Sequence, residues 1–169
     1  MNTLFQFLAA LMQMDERVWE RHANPWSVWT RLATFPFLMF AIWSWHWIGW
    51  LCLIPLALLA LWLWLNPRIF PPPASTRSWA SRAVLGERVF LLRMIHPVPV
   101  EHTNAATLLG VATSVCGFLM AAGFLAAEPI TFTVGGLLLI LFKLWLCDRM
   151  VWLFDEMSEG IPEYRAWRR

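Results

Sequence analysis

Charge is what this chain has least of: Asp, Glu, Lys and Arg make up 14% of its 169 residues, where a soluble domain carries about 25%. So few polar groups could not cover the exterior of a water-dissolved globule, which excludes one. Disorder is excluded as well, because 59% of the residues are hydrophobic. Cysteine is also scarce. Cys52, Cys116 and Cys147 are odd in number, far apart and set in apolar runs; they fit neither a disulfide framework nor a thiolate zinc site, and read as small core residues. No GxSxG elbow, P-loop, HExxH helix or CxxCH attachment occurs. The best-known signatures of hydrolysis, nucleotide use, zinc catalysis and covalent haem are therefore missing, and no motif indicates a cofactor. A net charge of +2 is too small to suggest nucleic acid.

What is present is long apolar sequence. Residues 32–65 contain no Asp, Glu, Lys or Arg, too long for one span of about 20 residues and suited to two helices in a hairpin. The first, over 25–47, starts at Asn24-Pro25, where an Asn cap precedes a proline at the first helical position. The second covers 49–65 and stops at Asn66-Pro67. Trp43, Trp45, Trp47 and Trp50 crowd the tip beside Gly49, and Trp62 and Trp64, with Trp26 and Trp29, form a belt at the other boundary. Indoles favour both headgroup regions, so these are interface anchors. Pro36 and Pro55 are expected to kink their helices.

Two further spans are predicted over 103–127 and 129–150. In the third, Ala106, Gly110, Ser114, Gly117 and Ala121 follow one another at helical spacing, and small residues so placed let helices approach closely in lipid. These define the expected packing face. Between the hairpin and this span, residues 66–102 form a proline-bounded connection with an interfacial helix over 78–93. The fold class is thus all-α: a four-helix membrane bundle over 24–157, an amphipathic helix over 1–22 and a tail over 158–169. Residues 1–14 lack the basic start and small-residue cleavage site of a signal peptide, so they are expected to be retained.

All 13 Lys and Arg residues fall before the apolar run that starts at residue 32, in the middle connection or toward the C-terminus. Short cytoplasmic loops collect such residues, so both termini and the middle connection are predicted inside. The basic inner face suits anionic lipid headgroups, and the packing stripe suits a homo-oligomer or another membrane subunit. The Trp- and Pro-rich hairpin does not resemble the third span, which argues against the paired halves common in transporters.

Ionisable residues on the inner side are the candidates for chemistry. Asp15 and His22 project from the apolar stripe of the N-terminal helix, two turns or about 10.5 Å apart. A carboxylate on an apolar face requires a partner, for which an arginine of the middle connection is expected, with His22 capping the turn before Asn24. His96, Glu101, His102, Asp148 and Asp155 lie on the same side. Imidazoles and carboxylates are ligands of Zn, Fe or Mn and also carry acid–base chemistry, so His22, His96, His102 and Asp148 are metal candidates and Asp15, His22, Asp148 and Asp155 catalytic ones. The blander expectations are a salt bridge from Asp148 to an arginine, a snorkelling Lys143 and an interfacial His46.

The segments HANPWSVWTR (22–31), NPRIFPPP (66–73), SWAS (78–81), LGER (85–88) and DRMVW (148–152) resemble those of a family of small prokaryotic membrane proteins designated a domain of unknown function. The resemblance runs over residues 15 to about 157, implies a bacterial or archaeal inner membrane and supplies no catalytic roles. Two functions remain on this reading: a non-enzymatic accessory or lipid/partner-binding module, or a membrane-bound enzyme with a metal or acid–base site at the cytoplasmic helix ends.

Overall fold

The computed structural model describes residues 15–169, and within them every regular element is helical. In chain order these are α1 (Glu16–His22), α2 (Pro25–Trp43), the short α3 (Trp45–Ile48), a 3-10 turn (Gly49–Cys52), α4 (Leu53–Ile69), α5 (Trp79–Leu91), α6 (Val100–Leu125), α7 (Pro129–Gly160) and α8 (Pro162–Arg165). Three helical runs are long and apolar enough to cross a membrane: Pro25–Ile69, Val100–Leu125 and Pro129–Gly160.

The first run folds back on itself. The α2 helix begins where expected, with the Asn24 side chain accepting from the Trp26 N–H. It ends at Ser44, whose hydroxyl donates to the Ala41 carbonyl, rather than continuing to 47. The reversal uses Gly49 at φ 54° and ψ −132°, a conformation open to glycine and costly for other residues. A polar seam then fixes the register of α2 against α4. Ser27 Oγ donates to Asn66 Oδ1 at 2.7 Å, Asn66 Nδ2 donates to Thr30 Oγ1 at 2.8 Å, and Trp62 Nε1 donates to Thr34 Oγ1 at 3.0 Å. Asn66 therefore does not stop its helix. It is fully buried, and α4 continues through Pro67 to Ile69. Pro55 falls in the first turn of α4, where its missing N–H has no intrahelical partner to lose, so the expected second kink has no cause.

The α6 and α7 helices pack at glycines that the sequence reading did not select. A Cβ on Gly123 would overlap the backbone nitrogen of Phe132, and one on Gly135 would press on the backbone of Met120. On the predicted stripe, Ala106 is buried, Gly110 lines a cavity, Ser114 and Ala121 are exposed, and a Cβ on Gly117 would meet only Leu139 Cδ1 at 3.6 Å. Small size marks where close packing is possible. Where it occurs depends on the neighbouring backbone.

The α6 helix closes with the Glu128 N–H bonded to the Gly123 carbonyl and the Ala127 N–H to that of Phe124, a Schellman pattern that puts its left-handed residue at Ala127, φ 54°. Glycine normally occupies that place. Ala127→Gly is expected to raise stability by about 1 kcal/mol, read as a higher thermal midpoint in detergent.

The α5 helix starts from Ser78, whose side chain accepts from the Ser81 N–H, and most of its surface is covered by protein. Ala80, Ser81, Ala83, Val84, Leu85, Gly86, Val89 and Phe90 are all buried, because α5 lies against the last half of α7. Val84, Leu85, Val89 and Phe90 join Ala106, Met150, Leu153, Phe154, Met157 and Tyr164 in one core. The predicted tail is bound to the same region: Arg169 N donates to Thr76 Oγ1 at 2.8 Å and its Nη2 reaches Glu20 at 2.7 Å. The N-terminal helix is seen only as α1, which starts at Asp15 in extended conformation; residues 1–14 of the predicted 1–22 element lie outside the described residues. Of the tryptophan anchors, Trp26, Trp29, Trp47, Trp50 and Trp64 are exposed. Trp43 packs on Phe132, Trp45 on Trp50, and Trp62 belongs to the seam.

Candidate functional site

The site follows from three local features. Ala23 and Asn24 leave almost no linker between α1 and α2, so His22, at the end of α1, is turned against the start of α2. Arg31, two turns into α2, reaches back to it: its Nη1 lies 2.6 Å from His22 Nε2 and 2.7 Å from Nδ1. Gly86 then lets α5 touch the α7 backbone at Met150, which brings its neighbour Glu87 to the face of α7 that carries Lys143 and, one turn on, Cys147. Lys143 Nζ stands 3.8 Å from Glu87 Oε1.

These groups line a cavity of about 260 Å³. His22, Arg31, Thr34, Glu87, Lys143 and Cys147 supply its polar atoms, while Val28, Leu32, Phe35, Leu38, Leu63, Val84, Phe90, Leu146 and Met150 make the rest of the wall chiefly apolar. Pocket-shaped, mostly apolar surface with a few converging polar groups is the usual form of a small-molecule site. His22 is buried, and that burial, reinforced by the positive charges of Arg31 and Lys143, holds its pKa well below the ordinary histidine value. The imidazole is therefore neutral near pH 7 and cannot offset the guanidinium. Charged groups at membrane depth face protein interiors or cavities because hydrocarbon solvates them so poorly, and Arg31 and Lys143 follow that pattern.

The other predicted residues lie apart from this cavity. Asp15 is exposed and accepts from the Val18 N–H at 2.8 Å, so it caps α1 instead of binding an arginine. Asp148 accepts from Trp79 Nε1 at 2.9 Å, not from an arginine, and Trp79 is stacked on Trp29. Asp155 pairs with Arg82 at 2.6 Å. His102 is buried against Glu156 at 2.9 Å, and His96 stands 3.5 Å from Glu163. His46 is exposed beside Trp43 and Phe124, and Glu101 is exposed. Each has its own surroundings, and no group of three His, Cys, Asp or Glu able to hold a metal exists among the described residues.

Sequence reasoning selected His22 and missed its companions. Arg31 read as one more flanking cation and Glu87 as part of an interfacial helix. One signal was available: Lys143 and Cys147, four apart, share a face within an otherwise apolar helix.

The model of the Family of unknown function (DUF6653) matches residues 4–168, nearly the whole chain, which belongs to that family. No curated protein and no solved structure matches it.

Proposed function

We propose that this member of the DUF6653 family is a non-enzymatic binding module of a prokaryotic inner membrane, holding an apolar, lipid-derived ligand between its helices. The observation that carries the reading is the cavity of about 260 Å³ with its largely apolar wall. Its size is just under the usual range of about 300–1,000 Å³ for ligand pockets, which suits a single chain better than a two-chain lipid.

The chain is read as crossing the membrane four times, a reading supported by the antiparallel hydrogen bonds between α2 and α4. Both termini and the connection holding α5 are assigned to the cytoplasm on the positive-inside rule. On that side the excess of basic over acidic residues suits anionic headgroups or a partner subunit. The enzyme alternative has less support, because its candidate side chains are committed to separate partners.

Protein purified in a neutral detergent tests the function. Organic extraction and mass spectrometry are expected to recover close to one single-chain amphiphile per wild-type chain. Leu38→Trp, which places a larger ring against the cavity, is expected to carry several-fold less while eluting as wild type does. Equal amounts in the two proteins would count the lipid as annular and defeat the reading.

A further inference from the structure

The cavity's formal charges do not cancel. Arg31 and Lys143 contribute two positive charges and Glu87 one negative, and Glu87 stands 3.8 Å from Lys143. The polar contacts of Arg31 are both to His22, so no carboxylate touches its guanidinium and Glu87 acts on it only from a distance. Asp148 follows Cys147 directly but is turned to Trp79, outside the cavity lining. Asp155, Glu156, Glu16 and Glu20 are paired with Arg82, His102, Arg88 and Arg169. A cation in an apolar enclosure is costly without a counter-ion, and a guanidinium presents the fork geometry that grips a carboxylate through two parallel bonds.

We infer that the ligand is a single-chain amphiphile with a monoanionic carboxylate head, its head bound by Arg31 with Lys143 nearby and its tail against Leu32, Phe35 and Leu38. This rests on the binding reading above and specifies the chemistry of its ligand. Glu87 sets the charge. By holding Lys143 it leaves room for one negative head and disfavours a dianion.

Cys147 supplies the readout, because it lines the cavity while Cys52 and Cys116 are buried. In full-length Cys52→Ala/Cys116→Ala protein in phosphatidylcholine nanodiscs, the rate of Cys147 alkylation by N-ethylmaleimide is followed against dodecanoate, dodecyl phosphate, dodecanol and dodecyltrimethylammonium. Dodecanoate is expected to half-protect at a concentration at least tenfold below that of dodecanol or the ammonium compound, and below that of dodecyl phosphate at pH 8. Arg31→Gln is expected to bring dodecanoate level with dodecanol while dodecanol still protects. Glu87→Gln is expected to move the preference toward dodecyl phosphate; it needs no loss of binding and covers the case in which Arg31→Gln does not fold. Equal protection by dodecanoate, dodecanol and the ammonium compound overturns the anionic head and leaves the binding module standing. A wild-type preference for dodecyl phosphate overturns the carboxylate. Failure of all four compounds, dodecanol included, removes the cavity as a lipid site and takes both readings down.

Discussion

Gly86→Leu is expected to abolish the packing of α5 against α7, with a loss of more than about 4 kcal/mol, in the range reserved for named structural failures. A Cβ at this position would overlap the Met150 carbonyl oxygen. Backbone cannot be moved aside as a flexible side chain can, so α5 and α7 must separate. Separation opens the core around Leu85, Val89, Phe90, Leu153 and Phe154 and withdraws Glu87 from Lys143. The measurements are the fraction of monodisperse protein after detergent extraction and the thermal midpoint of what survives. Gly117→Leu is the control: with its nearest neighbour at ordinary contact distance, it is expected to cost under about 1 kcal/mol. Equal damage from the two substitutions would mean that α5 does not dock on α7 through Gly86.

The second large effect is a dependence on pH. His22 has its pKa held well below the usual value, first by burial and then by the positive charges of Arg31 and Lys143. An unfolded histidine titrates near 6.5. Above that pH neither state binds the proton and His22 adds no pH dependence. Below it the unfolded state takes up a proton that the folded state refuses, so stability falls as pH falls, by up to about 1.4 kcal/mol per pH unit for this one group. His22→Gln keeps an acceptor for Arg31 and removes the titration. Thermal midpoints measured from pH 7.5 down to pH 5 are expected to decline steeply for the wild type and much less for the variant. Parallel declines would show that the acid sensitivity comes from elsewhere.

The sequence made the membrane legible because composition and run length depend on the solvent around each segment and little on tertiary detail. It located the hairpin and its Asn24 cap for a similar reason, since caps and reversals are encoded within a few residues. The position of α5 was not legible. Its arginines are spread around the helical wheel, which reads as weak amphipathicity, yet Arg82 and Arg88 pair with Asp155 and Glu16 and the smaller residues between them are buried. Pairing of that kind depends on residues more than 70 positions away. The packing face of α6 failed on a related ground. Glycine spacing is visible in one helix, but contact at Gly123 was decided by where Phe132 falls after the turn. The candidate site divided in the same way: His22 stood out as a polar residue on an apolar stripe, whereas Arg31, Glu87 and Lys143 acquired meaning only once three distant helices met.

The seam between Ser27, Thr30, Thr34, Trp62 and Asn66 bears on the order in which the protein is made. All its donors and acceptors reside in one stretch that leaves the ribosome early, so α2 and α4 can zip together during insertion before α6 or α7 has been synthesised. A slip in alignment would leave the buried Asn66 amide without its partners, which disfavours any other register. Arg31 and His22 are thereby installed first, and the chamber they help to form gains its Lys143 wall last. The chamber is therefore complete only once the final long helix, with Lys143 and Cys147, has been made.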